Sequence, residues 1–248
     1  MEFIAEQPLD DGVTEREFAL TGIPGMLWTP ASASPTSPVP LILLGHPGGL
    51  RGMSPRLRAR AAHAAVQGFA SATIELPGAG GRPRLEEVDQ ARADLRRALD
   101  SGEPVSPDII DRLILPLVAA AVPEWRTTLD ALLGLPEIAG PVGYSGGVIA
   151  IGVRLAAVEP RLVAAGLFAG SFVPASIREE ARQITIPLHV LLQWDDEGND
   201  RQMALDLFDA FGSSEKTLQA NMGGHTGVPS YAGEDAARFF ARHLRRAR

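Results

Sequence analysis

Cysteine is absent from the 248 residues. That absence excludes a disulfide framework, a thiolate metal site and a cysteine nucleophile together. It assigns no compartment, because a chain without thiols is stable in either redox state. Long apolar runs are missing too, and no stretch approaches the roughly 18 uninterrupted apolar residues of a membrane span. Met1 to Glu6 are acidic and lack a basic region followed by an apolar run, so no secretory leader is expected. Positive charge is in deficit: 23 Lys and Arg against 30 Asp and Glu leave a net charge of −7. Nucleic acid and anionic membrane surfaces are therefore not expected partners, since both need a basic face. The expectation is a soluble cytoplasmic protein. Repeats are absent, and the one low-complexity segment, Ala31 to Pro38, reads as an exposed loop.

What is present is a core. Hydrophobic residues make up 45% of the chain, enough to fill one large domain, placed here over residues 1–248. Glu15 to Leu20 and Gly25 to Thr29 flank a turn at Thr21-Gly22-Ile23-Pro24 and predict a hairpin. Pro40 to His46 is a continuous apolar run, as in a strand buried on both faces of a parallel sheet. Ser54 and Pro55 then form a cap and first-turn pair for a helix to about Gln67. Further strands are expected at Phe69 to Leu76, Pro141 to Tyr144, Leu162 to Ala169, Pro187 to Gln193 and Glu215 to Asn221. Helical patterns separate them, at Leu85 to Leu99, Pro107 to Ala121, Pro123 to Leu133, Gly147 to Val158, Ser176 to Arg182, Arg201 to Phe211 and Gly233 to Arg245. This alternation predicts an α/β fold with a mostly parallel central sheet of about eight strands and helices on both faces. Residues 83–122 exceed what a crossover needs and are read as a small helical cap or lid insert.

The chemistry points to Gly143-Tyr144-Ser145-Gly146-Gly147, between an expected strand and an expected helix. A serine at such a junction is exposed on a sharp, strained turn, with small neighbours where strand and helix crowd together. The Gly146 N–H at the helix start can donate to an oxyanion. In a chain with 26 glycines the bare pattern also arises as an ordinary turn with a capping serine; its strand-to-helix context favours a nucleophile. A serine hydroxyl needs a base to take its proton, and the base needs an acid to orient it. Of five histidines, His225 alone falls in a loop after the last strand. His63 and His243 lie on helices and read as solvated, His189 lies within a strand, and His46 ends one. Trp194-Asp195-Asp196-Glu197 offers three carboxylates in a row, of which an extended chain can aim only one of a neighbouring pair at the base.

These residues resemble the α/β-hydrolase superfamily, and in particular its esterase-like members near the dienelactone hydrolases. Leu43 to Gly49, Glu75 to Gly80, the serine turn and the acid and histidine segments carry the resemblance. Glu75 stands where Asp is usual. The resemblance implies the α/β-hydrolase fold and a triad of Ser145 as nucleophile, His225 as general base and a carboxylate between them. Family members carry the acid nine positions after a proline, which from Pro187 falls on Asp196, with Asp195 the second choice; Gln193 replaces a usual glycine, and Asn199-Asp200 a usual Val-Pro. It implies oxyanion donors at Gly146 and Gly48, since Pro47 has no N–H. Gly49, Leu50, Tyr144 and Trp194 are candidate pocket residues. The dienelactone hydrolases proper use a cysteine, which this chain lacks, so the expected activity is the broader one: hydrolysis of a carboxylic ester, thioester or lactone, of EC 3.1.1 class, on a small-molecule substrate without metal or cofactor. An amidase, peptidase or carbon–carbon hydrolase with the same triad is the alternative, and a non-catalytic ligand-binding protein of this fold a second. Monomer and homodimer are both compatible with it.

Overall fold

The computed structural model describes residues 1–9 and 12–245. Among these residues nine strands form one sheet: β1 (Glu2–Pro8), β2 (Val13–Leu20), β3 (Ile23–Pro30), β4 (Val39–Gly45), β5 (Ala70–Ile74), β6 (Ile138–Gly146), β7 (Leu162–Phe168), β8 (Leu188–Gln193) and β9 (Lys216–Asn221). Their spatial order is β1-β2-β3-β5-β4-β6-β7-β8-β9. The pairs β1–β2, β2–β3 and β3–β5 are antiparallel, and all pairs from β5–β4 to β8–β9 are parallel. Among the described residues, seven helices complete the order: α1 (Leu50–Val66), α2 (Glu86–Ser101), α3 (Pro107–Leu133), α4 (Ile149–Val158), α5 (Ala175–Ala181), α6 (Arg201–Ala210) and α7 (Tyr231–Leu244).

The apolar strands are buried on both faces, which explains their unbroken hydrophobic runs. Leu41, Leu43 and Tyr144 face the larger core, beneath α3 to α6, with Trp125, Leu129 and Ile177. Ile42 and Leu44 face the other side, where Leu57 and Ala61 of α1 and Phe240 and Leu244 of α7 cover them. The hairpin β2–β3 closes tighter than expected. Leu20 pairs with Ile23, so the turn is Thr21-Gly22 alone, with φ of 47° and 83°. Positive φ at both positions is what a two-residue hairpin demands.

Three departures from the expected elements have physical causes. The ninth strand is β1, exposed along its whole length, so it carries no alternation of apolar and polar residues to mark it. The helices expected at Pro107 to Ala121 and Pro123 to Leu133 are one helix, α3, continuous through Pro116 and Pro123. Each internal proline costs about 3 kcal/mol; burial of the stripe Val118, Ala121, Val122, Trp125, Leu129 and Leu132 offsets it. Helix α1 begins at Leu50 rather than Ser54 because the Leu50 N–H donates to Glu75 Oε1 at 2.9 Å. A carboxylate there satisfies an otherwise unpaired donor and the positive end of the helix. Within residues 83–122, α2 packs on the first part of α3, and Asp94 of α2 accepts from Arg112 of α3 at 3.1 Å.

Candidate active site

Ser145, Asp196 and His225 all lie at the carboxyl ends of parallel strands, following or ending β6, β8 and β9. The serine turn differs from expectation in where its backbone is unusual. Ser145 keeps strand register with Leu44 and Gly166. The positive φ values fall on Gly146 (75°) and Gly147 (78°) instead. Glycine takes that conformation at no steric cost, so the chain turns without straining the serine. The crowding is real: a Cβ on Gly147 would come within 2.8 Å of Gly45 Cα, and one on Gly143 within 2.8 Å of the Phe240 ring.

Beneath this turn sits Arg60 of α1. Its Nη1 donates to Gly45 O at 2.8 Å, and its Nη2 donates to Ser145 Oγ at 3.1 Å and also to Ser145 O. Burial brings the guanidinium down to about 10, partly countered by Tyr144. Among the described residues it forms no ion pair, so its charge is available to the strand ends and the hydroxyl. Nothing in the sequence of α1 distinguished it from its neighbours Arg56 and Arg58.

His225 Nδ1 bonds Asp196 Oδ2 at 2.7 Å. Of the neighbouring carboxylates, Asp196 is buried and Asp195 exposed. Burial alone would raise the Asp196 pKa; hydrogen bonds from His225, Asn199 and the Gly198 N–H outweigh it and hold the carboxylate below its usual range. The imidazole is 60% exposed and meets the Phe168 ring edge-on, centroids 5.6 Å apart. Its loop is held from below. Gln193 Nε2 donates to Gly224 O at 3.0 Å, Asn221 Nδ2 to Gln193 Oε1 at 3.2 Å, and the Tyr231 hydroxyl to Asn221 Oδ1 at 3.3 Å. Gln193 thus does more than replace a glycine: it fastens the histidine loop to β8. Ser145 is not hydrogen-bonded to His225; its Oγ is engaged by Arg60.

The other candidates are placed as follows. His46 is buried, its Nε2 on Ile74 O at 2.8 Å, beneath the loop that carries Gly48 and Gly49. Gly45 pairs with Gly146, so the two proposed oxyanion segments meet at this strand end. Glu75 packs under Gly80, where φ is 57° and a Cβ would fall 2.3 Å from Glu75 Oε2. Leu50 is half-buried with Met53 against the smaller core. Tyr144 lies in the larger core, edge-on to Trp125 at 6.2 Å, below the sheet rather than over the site. Trp194 is half-buried, with the Arg201 guanidinium 4.3 Å above its ring. His243, expected to be solvated, has a side chain only 12% exposed, with Nε2 3.2 Å from Glu215 Oε1. Among the described residues no group of three or more His, Asp or Glu could hold a metal ion, and no helix is long and apolar enough to cross a membrane.

Two histidines predict an acid response. Burial holds the pKa of both His46 and His189 below the ordinary imidazole value. The unfolded chain therefore binds more protons than the folded one just below the ordinary value of about 6.5. Their contribution to stability is complete above that pH and is lost as pH falls below it. The urea midpoint is expected to drop between pH 7.5 and 5.5, by less in His189→Gln. An equal drop in both proteins removes His189 from the account.

No protein-family model matches the chain, and no curated protein does. Solved structures do. A cold-adapted esterase from an Arctic intertidal metagenomic library, in a polyethylene-glycol-bound structure, is 27% identical over 99% of this chain and 100% of its own, with a TM-score of 0.77. Its native structure gives 25% identity, the same coverages and a TM-score of 0.73. Dienelactone hydrolase from Anabaena variabilis is 20% identical over 93% of this chain and 99% of its own, with a TM-score of 0.61, a likeness of fold. The chain has the α/β-hydrolase fold. Within that fold, its likeness is to the esterase-like members.

Proposed function

We propose that this protein is a serine hydrolase that cleaves a carboxylic ester through an acyl-enzyme at Ser145. The observation that carries the reading is the 2.7 Å bond between His225 Nδ1 and Asp196 Oδ2, at the same end of the sheet as Ser145. With Nδ1–H donated to the carboxylate, Nε2 is the nitrogen left to accept a proton. Ser145 Oγ turns from Arg60 toward His225, gives its proton to Nε2 and bonds to the ester carbonyl carbon. The carbonyl oxygen becomes an oxyanion that accepts from the Gly146 and Gly48 N–H groups. Collapse of this adduct breaks the bond to the alcohol oxygen, which leaves with the proton from His225. Water repeats the sequence on the acyl-enzyme and releases the carboxylic acid. Residues 83–122, the α2 helix and the first part of α3, serve as the cap over the substrate.

A second reading, a ligand-binding protein without catalysis, draws on the Arg60 hydrogen bond to Ser145 Oγ. Labelling separates the two. A fluorophosphonate is expected to add to Ser145, located by mass spectrometry, and to leave Ser145→Ala unlabelled; p-nitrophenyl acetate is expected to be hydrolysed and the matching anilide much more slowly. An unlabelled protein inert toward p-nitrophenyl esters selects the second reading. Faster turnover of the anilide selects an amidase.

A further inference from the structure

We propose that Asn199 is a positioning residue for the acid of the triad, and that it couples this acid to the loop after β7. The proposal rests on the triad reading above. Asp196 is enclosed, its side chain 3% exposed. Its Oδ2 accepts from both His225 Nδ1 at 2.7 Å and Asn199 Nδ2 at 2.6 Å, and its Oδ1 accepts from the Gly198 N–H at 3.0 Å. Donors to a carboxylate are stronger than neutral pairs, so together these fix the rotation of the carboxyl plane. The imidazole inherits its orientation from that plane.

The Asn199 amide is itself fixed in one sense. Its Oδ1 accepts from the Ser171 N–H at 3.0 Å and from Ser171 Oγ at 3.1 Å. A flipped amide would set its oxygen against Asp196 Oδ2 and its NH2 against the Ser171 backbone N–H, opposing acceptor to acceptor and donor to donor. The backbone donor of Ser171 therefore dictates which end of Asn199 meets the acid. Ser171 is buried, in the segment between β7 and α5. Phe168, three residues before it at the end of β7, meets the His225 ring. One amide thus joins the loops after β7 and β8, and through Asp196 the loop after β9. The resemblance gave no notice of this, because it places valine at the position that Asn199 fills.

The test compares Asn199→Ala, Asn199→Asp and Ser171→Ala. Two readouts are taken: steady-state hydrolysis of p-nitrophenyl acetate, and the low-field proton resonance of His225 Nδ1–H, assigned by its loss in His225→Gln. Asn199→Ala is expected to lower kcat about 10- to 100-fold, the factor for one charge-assisted hydrogen bond, with KM within about twofold because the amide touches the acid and not the substrate. The resonance is expected to shift or broaden. Asn199→Asp keeps the shape but sets a second carboxylate beside Asp196, and is expected to move the resonance further. Ser171→Ala retains the backbone donor and is expected to hold kcat within about threefold. A fall in kcat and melting temperature in both Asn199 variants with the resonance unmoved assigns Asn199 a structural role only and overturns the proposal, as do unchanged kinetics. A resonance that moves in a protein inert toward all esters upholds the positioning role and overturns the hydrolase reading alone.

Discussion

Asp196→Asn is expected to lower kcat for ester hydrolysis about ten-thousandfold, while Asp195→Asn leaves it within about threefold. The difference comes from what each side chain offers the imidazole. A carboxylate only accepts, so the proton on His225 stays on Nδ1 and Nε2 is free to take the serine proton. An amide at the same place can turn its NH2 to Nδ1, which moves the ring proton to Nε2 and removes the base. Asp196 is the carboxylate in contact with the ring, at 2.7 Å, and it is ionised because His225, Asn199 and the Gly198 N–H hold its pKa down against burial. Asp195 is exposed. With the NH2 of Asp196→Asn in the place of Oδ2, the Gly198 N–H keeps its acceptor and the Asn199 NH2 loses its own, so the melting temperature is expected to fall somewhat, and kcat is measured well below it so that it reports chemistry and not unfolding. Equal losses from the two substitutions would falsify the assignment of the acid.

Gly147→Ala is expected to cost more than about 3 kcal/mol of stability, against about 1–2 kcal/mol for Gly146→Ala. Both glycines hold positive φ, 75° and 78°, so each alanine carries the same backbone penalty. They differ in what the new methyl meets. At Gly146 it lies 2.8 Å from Arg60 Nη2, the far end of a flexible side chain that can swing away. At Gly147 it lies 2.8 Å from Gly45 Cα and 2.9 Å from Gly45 C and His46 N. That obstacle is the backbone at the end of β4, pinned by its pairing with β6. Urea denaturation of the two variants reads the difference directly. Equal midpoints would mean that the strand end yields as easily as a side chain does.

The sequence by itself determined the layers and singled out the segments proposed for the chemistry. Strand runs such as Leu41 to Leu44 are apolar without interruption because both faces are buried, and that one-dimensional pattern reports a parallel sheet covered by helices. Gly143, Gly146 and Gly147 mark the turn because no other residue fits its φ values or its contacts. His225 stands out by order and context, as the histidine in the loop beyond the last strand. These signals are local: each is a residue's fit to its own element. The tertiary structure decided the rest. Asp195 and Asp196 are adjacent in the chain, and only the fold of the loop after β8 buries one and exposes the other, against a histidine 29 positions away. Arg60 reaches Ser145 across 85 positions, and Asn199 reaches Ser171 across 28. Strand β1 pairs without burying a face, and α3 runs through two prolines because its opposite stripe is buried in the core. The α3 stripe has a helical spacing, but its continuity through the prolines and the other contacts leave no periodic trace, because each depends on which elements pack together and not on the spacing within any one of them.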